Sequence, residues 1–275
     1  MNFSLQYIDE KLTFYDITEI IKHILYDSKV IFFSKNVNLL TNIILGFLSL
    51  IAPMKYPFQV TSCLPLENYS ILESISPYLF GIKENYSDDF FANRGLDTST
   101  MNVLCVDLDC NNKNDPKKMH LFAQPDEEFP PLPKKLTDKL KIDYTALIES
   151  YNTSQSETKP LYSKNKNPKA TFSQEEYNFK FQNLFFEYNV NILKNYDKYL
   201  NDSYFSIENI GNTNVDSLFK IEDFVSSQAS SDRPFYKKFI GESQMFSDFI
   251  FKRMIPKNLK DKVEILFINE KMTEV

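Results

Sequence analysis

Tryptophan is absent from the 275 residues and glycine is scarce, at 5. The chain has no GxxxxGK[ST] loop and no GxGxxG, so it lacks a phosphate cradle of its own and does not read as a GTPase or kinase. Cysteine is equally sparing: Cys63, Cys105 and Cys110 cannot all pair and show no CxxC spacing, which removes a disulfide framework and a zinc cluster and fits a reducing cytosol. The two histidines, His23 and His120, have no triad or HExxH neighbour and read as ordinary structural or solvent-facing side chains. The start MNFSLQYIDEKLTF lacks the basic and apolar regions of a secretory signal. The longest apolar stretch, Val37 to Met54, is broken by Asn38, Thr41, Asn42, Gly46 and Ser49, and reads as a buried helix rather than a membrane span. Basic residues, 31, are outnumbered by 37 acidic ones. A net charge of -6 and a pI near 5.2 leave no broad positive field, which argues against nucleic acid as the main partner.

What is present is enough apolar content, 43%, to build a packed core. In the first third, helix and strand patterns alternate. Asp16 is placed to cap a helix with Ile17, Ile20, Ile21, Ile24 and Leu25 on one face and Glu19 completing a capping box. The run Val30-Ile31-Phe32-Phe33 is apolar throughout, as a strand buried on both faces is. A helix from Asn36 to about Ala52 and a strand Phe58 to Thr61 complete a βαβ unit with parallel strands. A short helix near Tyr69 to Ser74, an extended Tyr78 to Phe80 and a strand Asn102 to Leu108 extend the layer.

The pattern then changes. Residues from Asn111 to Pro133 read as a polar loop, Leu136 to Tyr151 as a helix, and Asn152 to Ala170 as a mobile linker with little apolar residue to bury. Amphipathic helices are expected over Phe172 to Leu200, Val215 to Gln228 and Phe235 to Arg253. The fold class is therefore α/β, a mostly parallel sheet flanked by helices, followed by an all-helical subdomain. The expected units are 1–111, a connector over 112–170, and 171–275.

Few residues invite chemistry. Asp107 and Asp109 end a buried strand, where carboxylates ligate a metal or accept a proton; without a third ligand or a histidine, capping a following helix or hydrogen bonding to a neighbouring loop is the stronger reading. The spacing of Phe235, Phe239, Phe246, Phe249 and Phe251 suits a helical core, and the cysteines suit small buried hydrophobes. No cofactor and no metal site is indicated.

The segment KVIFFSKNVNLLTNIILGFLSLIAPMKYPFQVTSCLP resembles the central segment of DENN domains: a strand ending in Ser34, a helix with Leu39-Leu40, then Pro57-Phe58, a strand, and Leu64-Pro65. Pro77 to Gly81 and Val106-Asp107-Leu108-Asp109 are similar to two further motifs of that family, in the same order. Phe181 to Leu200 and Phe239 to Ile250 resemble the helical downstream DENN segment, with Ser243 where the family carries threonine. The resemblance implies a guanine nucleotide exchange factor for a Rab-like small GTPase, without covalent catalysis, cytoplasmic and recruited to membranes for vesicle traffic; a non-exchanging scaffold is the alternative. It also implies an upstream longin-type lobe, which the first fifteen residues are too few to supply, so that lobe is expected in cis or in trans. Loops at the carboxyl ends of parallel strands nominate Ser34, Lys35, Asn36, Pro65, Glu67, Asn68 and Asp109 as GTPase contacts, and the late helix offers Gln244 and Asp248 as a second face.

Overall fold

A computed structural model describes residues 5–97, 102–110, 114, 118–122, 129–156, 172–201, 218–254 and 265–271. Helices α1 (Gln6–Lys11) and α2 (Phe14–Leu25) lead into strand β1 (Lys29–Phe33), and α3 (Val37–Leu50) into β2 (Gln59–Thr61). After a 3-10 helix over Leu66–Glu73 come β3 (Tyr78–Ile82), β4 (Val103–Asp107) and β5 (Met119–Phe122). The sheet order is β2-β3-β1-β4-β5, with the first four strands parallel and β5 antiparallel to β4. The elements described after β5 are helical: α4 (Lys134–Ser156), α5 (Gln174–Ile192), α6 (Ile221–Ser227), α7 (Arg233–Glu242) and α8 (Gln244–Met254), with a 3-10 turn over Tyr196–Tyr199.

The expected α/β layer followed by helices is what the chain forms. β1 sits at the centre, hydrogen-bonded along both edges and covered on both faces, and the cover on both faces is why its side chains are apolar in succession. Val30 and Phe32 point to one side and Ile31 and Phe33 to the other, each into a separate core cluster. The β1–α3–β2 crossover skips a place, and β3 fills it. Gly81 of β3 has no room for a side chain, since a Cβ there would run into the carbonyl of Ser62.

Several local expectations are corrected. α2 begins earlier than the apolar spacing suggested: Thr13 is its cap, and Asp16 is the reciprocal partner, accepting from Thr13 N–H at 2.7 Å while Asp16 N–H donates to Thr13 Oγ1 at 3.2 Å. The short helix expected from Tyr69 is of 3-10 type and starts at Leu66, where Pro65 sets the entry. The stretch read as a loop from Asn111 to Pro133 contains β5, so His120 lies on a strand, opposite Cys105.

α4 runs on to Ser156, into the expected linker, because Tyr151 packs on Tyr177 at 4.4 Å between ring centroids and Gln155 donates to the carbonyl of Phe172. The rest of that expected linker, and Val215 to Ser217 of the next expected helix, lie outside the described residues. In the late segment Ser243 is extended and splits one expected helix into α7 and α8. Phe235, Phe239, Phe246 and Phe249 are buried and Phe251 is partly buried against them, the core role expected of that stripe. Of the cysteines only Cys105 is buried; Cys63 and Cys110 are partly exposed, and all three are free thiols.

Candidate functional site

The carboxyl ends of β1, β3 and β4 meet in one hydrogen-bonded edge. Chain leaving β1 at Ser34 donates its N–H to the carbonyl of Ile82 at 3.1 Å, and Leu108 N–H donates to Phe33 O at 2.9 Å. Asp109 then reaches across: one carboxylate oxygen accepts from Ser34 Oγ and the other from Lys35 N–H, both at 2.7 Å. Ser34 Oγ accepts Asn36 N–H at 3.0 Å, and Asn36 Oδ1 caps α3 by accepting from Asn38 N–H and Leu39 N–H. Asp107 supports Asp109 by accepting its N–H at 3.0 Å. Asp109 thus holds the neighbouring loop after β1, as one of the expected readings had it, while Asp107 holds the backbone of Asp109. Ser34 is fully buried by this network, while Lys35 and Asn36 are exposed.

β2 contributes the next turn. Leu64 N–H donates to Gly81 O at 2.7 Å, so Ser34 and Leu64 hang on successive carbonyls of β3. Pro65, Glu67 and Asn68 follow, all exposed. With strands about 4.8 Å apart, the β1 and β2 exits stand roughly 10 Å from one another on either side of β3. The seven nominated residues of this edge therefore come together in space.

Two residues on the same edge escape the sequence reading. Lys83 and Glu84 leave β3; Lys83 is exposed, and Glu84 accepts from the Tyr69 hydroxyl at 3.1 Å and pairs with Arg94. Burial, with the Glu84 carboxylate adding to it, pushes the Tyr69 phenol above its ordinary value. Running the strand to Ile82 rather than stopping it at Phe80 would have nominated both.

Gln244 and Asp248 lie elsewhere. Gln244 N–H donates to Asp27 Oδ2 at 2.5 Å, and its side chain donates to Asp248 Oδ1 at 2.7 Å. Asp27 precedes β1 and Ser34 follows it, so at about 3.3 Å per residue the two sets sit some 20 Å apart, at opposite ends of the central strand. The DENN (AEX-3) domain family model matches residues 1–111. The dDENN domain model matches residues 219–272, and the two together cover more than half of the chain. The chain belongs to the DENN domain family.

DENN domains are in general exchange modules for Rab GTPases, regulatory rather than covalent catalysts. In this DENN protein the carboxyl edge, with its turns after β1, β2, β3 and β4, lies within the first matched segment, while Gln244 and Asp248 lie within the second. Among the described residues no group of three or more His, Cys, Asp or Glu is arranged to hold a metal. His23 is buried against Ser28, its Nδ1 3.1 Å from Ser28 Oγ, and burial holds its imidazole below the usual value. His120 stacks on Tyr86 at 3.9 Å. No helix among the described residues is long and apolar enough to cross a membrane.

Proposed function

We propose that this DENN protein is an exchange factor lobe for a Rab-family GTPase in membrane traffic, and that the GTPase docks on the carboxyl edge of the sheet. The observation that carries the reading is the row of exposed turns there: Lys35-Asn36, held by the partly buried Ser34–Asp109 network, and Pro65 to Asn68, which follow Leu64 where it bonds Gly81 O. A pre-formed edge of this kind presents contacts without first paying ordering entropy. Exchange needs no nucleophile: the factor binds the nucleotide-free GTPase better than the loaded one and shifts its population, and the magnesium belongs to the partner. Gln244 and Asp248, about a strand length away, serve as a second contact face. The units 1–111 and 171–275 act together, joined by 112–170, and the protein works from the cytoplasm at a membrane surface.

The test is release of a fluorescent guanine nucleotide from a panel of Rab-like GTPases. The 275 residues alone should accelerate release weakly, and adding an upstream longin-type lobe, in cis or in trans, should raise the rate by at least about tenfold, the equivalent of roughly 1.4 kcal/mol of added preference. Lys35→Glu should remove most of that gain. Binding without acceleration across the panel would make the protein a scaffold.

A further inference from the structure

At the amino end of the sheet stands an arrangement that the exchange reading does not use. Asp27 turns the chain from α2 into β1 with φ of 51°, a left-handed conformation that aspartate tolerates better than most side chains. Its Oδ2 accepts the backbone N–H of Gln244, the first residue of α8, and Ser243 and Met245 also hydrogen-bond to this carboxyl. α8 therefore has a local cap, Ser243 Oγ accepting Phe246 N–H at 3.3 Å, and a second one supplied from the far side of the fold. Asp27 Oδ1 is buried without a hydrogen-bond partner among the described residues, as is the Tyr56 hydroxyl.

We propose that Asp27 is an acid-tightened clasp: protonated, it secures the amino end of α8 to the α2–β1 turn, and ionised at neutral pH it holds that end less firmly. The buried, unpaired Oδ1 favours the neutral carboxyl, against the donors at the amino end of α8, which favour the charged one. A carboxylate with one oxygen buried and unpaired carries a charge that the donors on the other oxygen only partly compensate. Among the described residues, Asp248 of α8 and Tyr56 of the α3–β2 connection face it from other elements. Asp248 adds like charge, and burial pushes Tyr56 far above its ordinary value, so it stays neutral. Lys55 and Lys252 line the small cavity that Asp248 borders.

Burial foremost, with Asp248 adding to it, pushes Asp27 up to about 6, against the lowering pull of Gln244, Ser243 and Met245. Released from the clasp, the carboxyl titrates near 3.9. The closed form thus binds more protons than the open form between those values; the clasp is firmest below about pH 4, weakens as pH rises through about 6, and is constant above. Gln244 and Asp248 ride on this end of α8, so their presentation follows pH. The inference does not depend on the GTPase reading.

Hydrogen exchange of the full chain, corrected for the intrinsic pH dependence, tests it. Protection of the Gln244 and Met245 amides should grow about tenfold as pH falls from about 7.5 to about 5, while Leu108, which bonds Phe33 O at the opposite end of β1, stays level. Asp27→Asn keeps an acceptor but cannot ionise, and its profile should be flat. Asp248→Asn removes the like charge and should move the wild-type midpoint to lower pH. Equal rises in the wild type and Asp27→Asn, a Leu108 amide that follows Gln244, or an unmoved midpoint in Asp248→Asn would each overturn the clasp. Should Asp27→Asn fail to fold, the midpoint in Asp248→Asn decides.

Discussion

The two faces of the sheet are closed by different parts of the chain. On one, Val30, Phe32, Leu79, Leu104 and Val106 share a core with residues from every helix between α1 and α8. On the other, Ile31, Phe33, Phe80, Ile82, Val103 and Cys105 lie under Leu64, Tyr69, Leu72, Phe90 and Phe91. The strands alternate their side chains alike, yet the first core is assembled across the whole sequence, and the second is sealed by its own connections between β2 and β4. The first face therefore ties the two family-matched segments into one packed body, while the second is a local matter.

The largest test of that contrast is Phe181→Ala. Phe181 is fully buried on α5, 5.4 Å from the Phe185 ring and 5.7 Å from Tyr144. Its truncation should cost about 4 kcal/mol in urea unfolding, with helical and sheet probes lost in one transition. Separate transitions would break the idea of a shared core.

Lys118→Met probes a polar tie on the same side. Lys118 and Asp16 are buried and paired at 2.5 Å, and Lys118 also donates to Lys11 O. Removing the ammonium leaves a buried carboxylate, with an expected loss of about 3 kcal/mol; adding Asp16→Asn should recover part of it, read as coupling in a double-mutant cycle.

Arg94→Ala sharpens the contrast from the local side. Arg94 lies over the Phe90 ring at 4.1 Å and pairs with Glu84. A loss of about 1.5 kcal/mol is expected, with faster hydrogen exchange confined to the connections over the second core. Spread of that change into α5 would blur the two faces. Smallest is Tyr78→Phe, which removes a buried hydroxyl donating to Leu72 O at 2.9 Å; about 1 kcal/mol should be lost by thermal unfolding.

How much of this was legible depended on whether the deciding partner was near in sequence. β1 and α3 could be read because an unbroken apolar run and the Asn36 cap carry their own signals. β5 could not: four residues in a polar stretch become a strand only by pairing with β4. Nor could the break at Ser243, since part of what fixes the start of α8 is Asp27, more than two hundred residues away. The candidate site followed the same rule. Parallel strands gave the carboxyl edge and most of its turns, but no local pattern showed that Gln244 and Asp248 would stand at the other end of β1.

The sheet order also bears on how the protein survives its own synthesis. Among the described residues, both outer positions are held by the shortest strands, β2 with three residues and β5 with four, against five for each inner strand. A border that brief offers few free amides and carbonyls to a stray strand. The strongly apolar β1, a segment prone to self-association if exposed, is flanked on both sides in the finished sheet. Aggregation through this sheet would require its centre to open first, which makes the stability of the shared core a guard against misassembly.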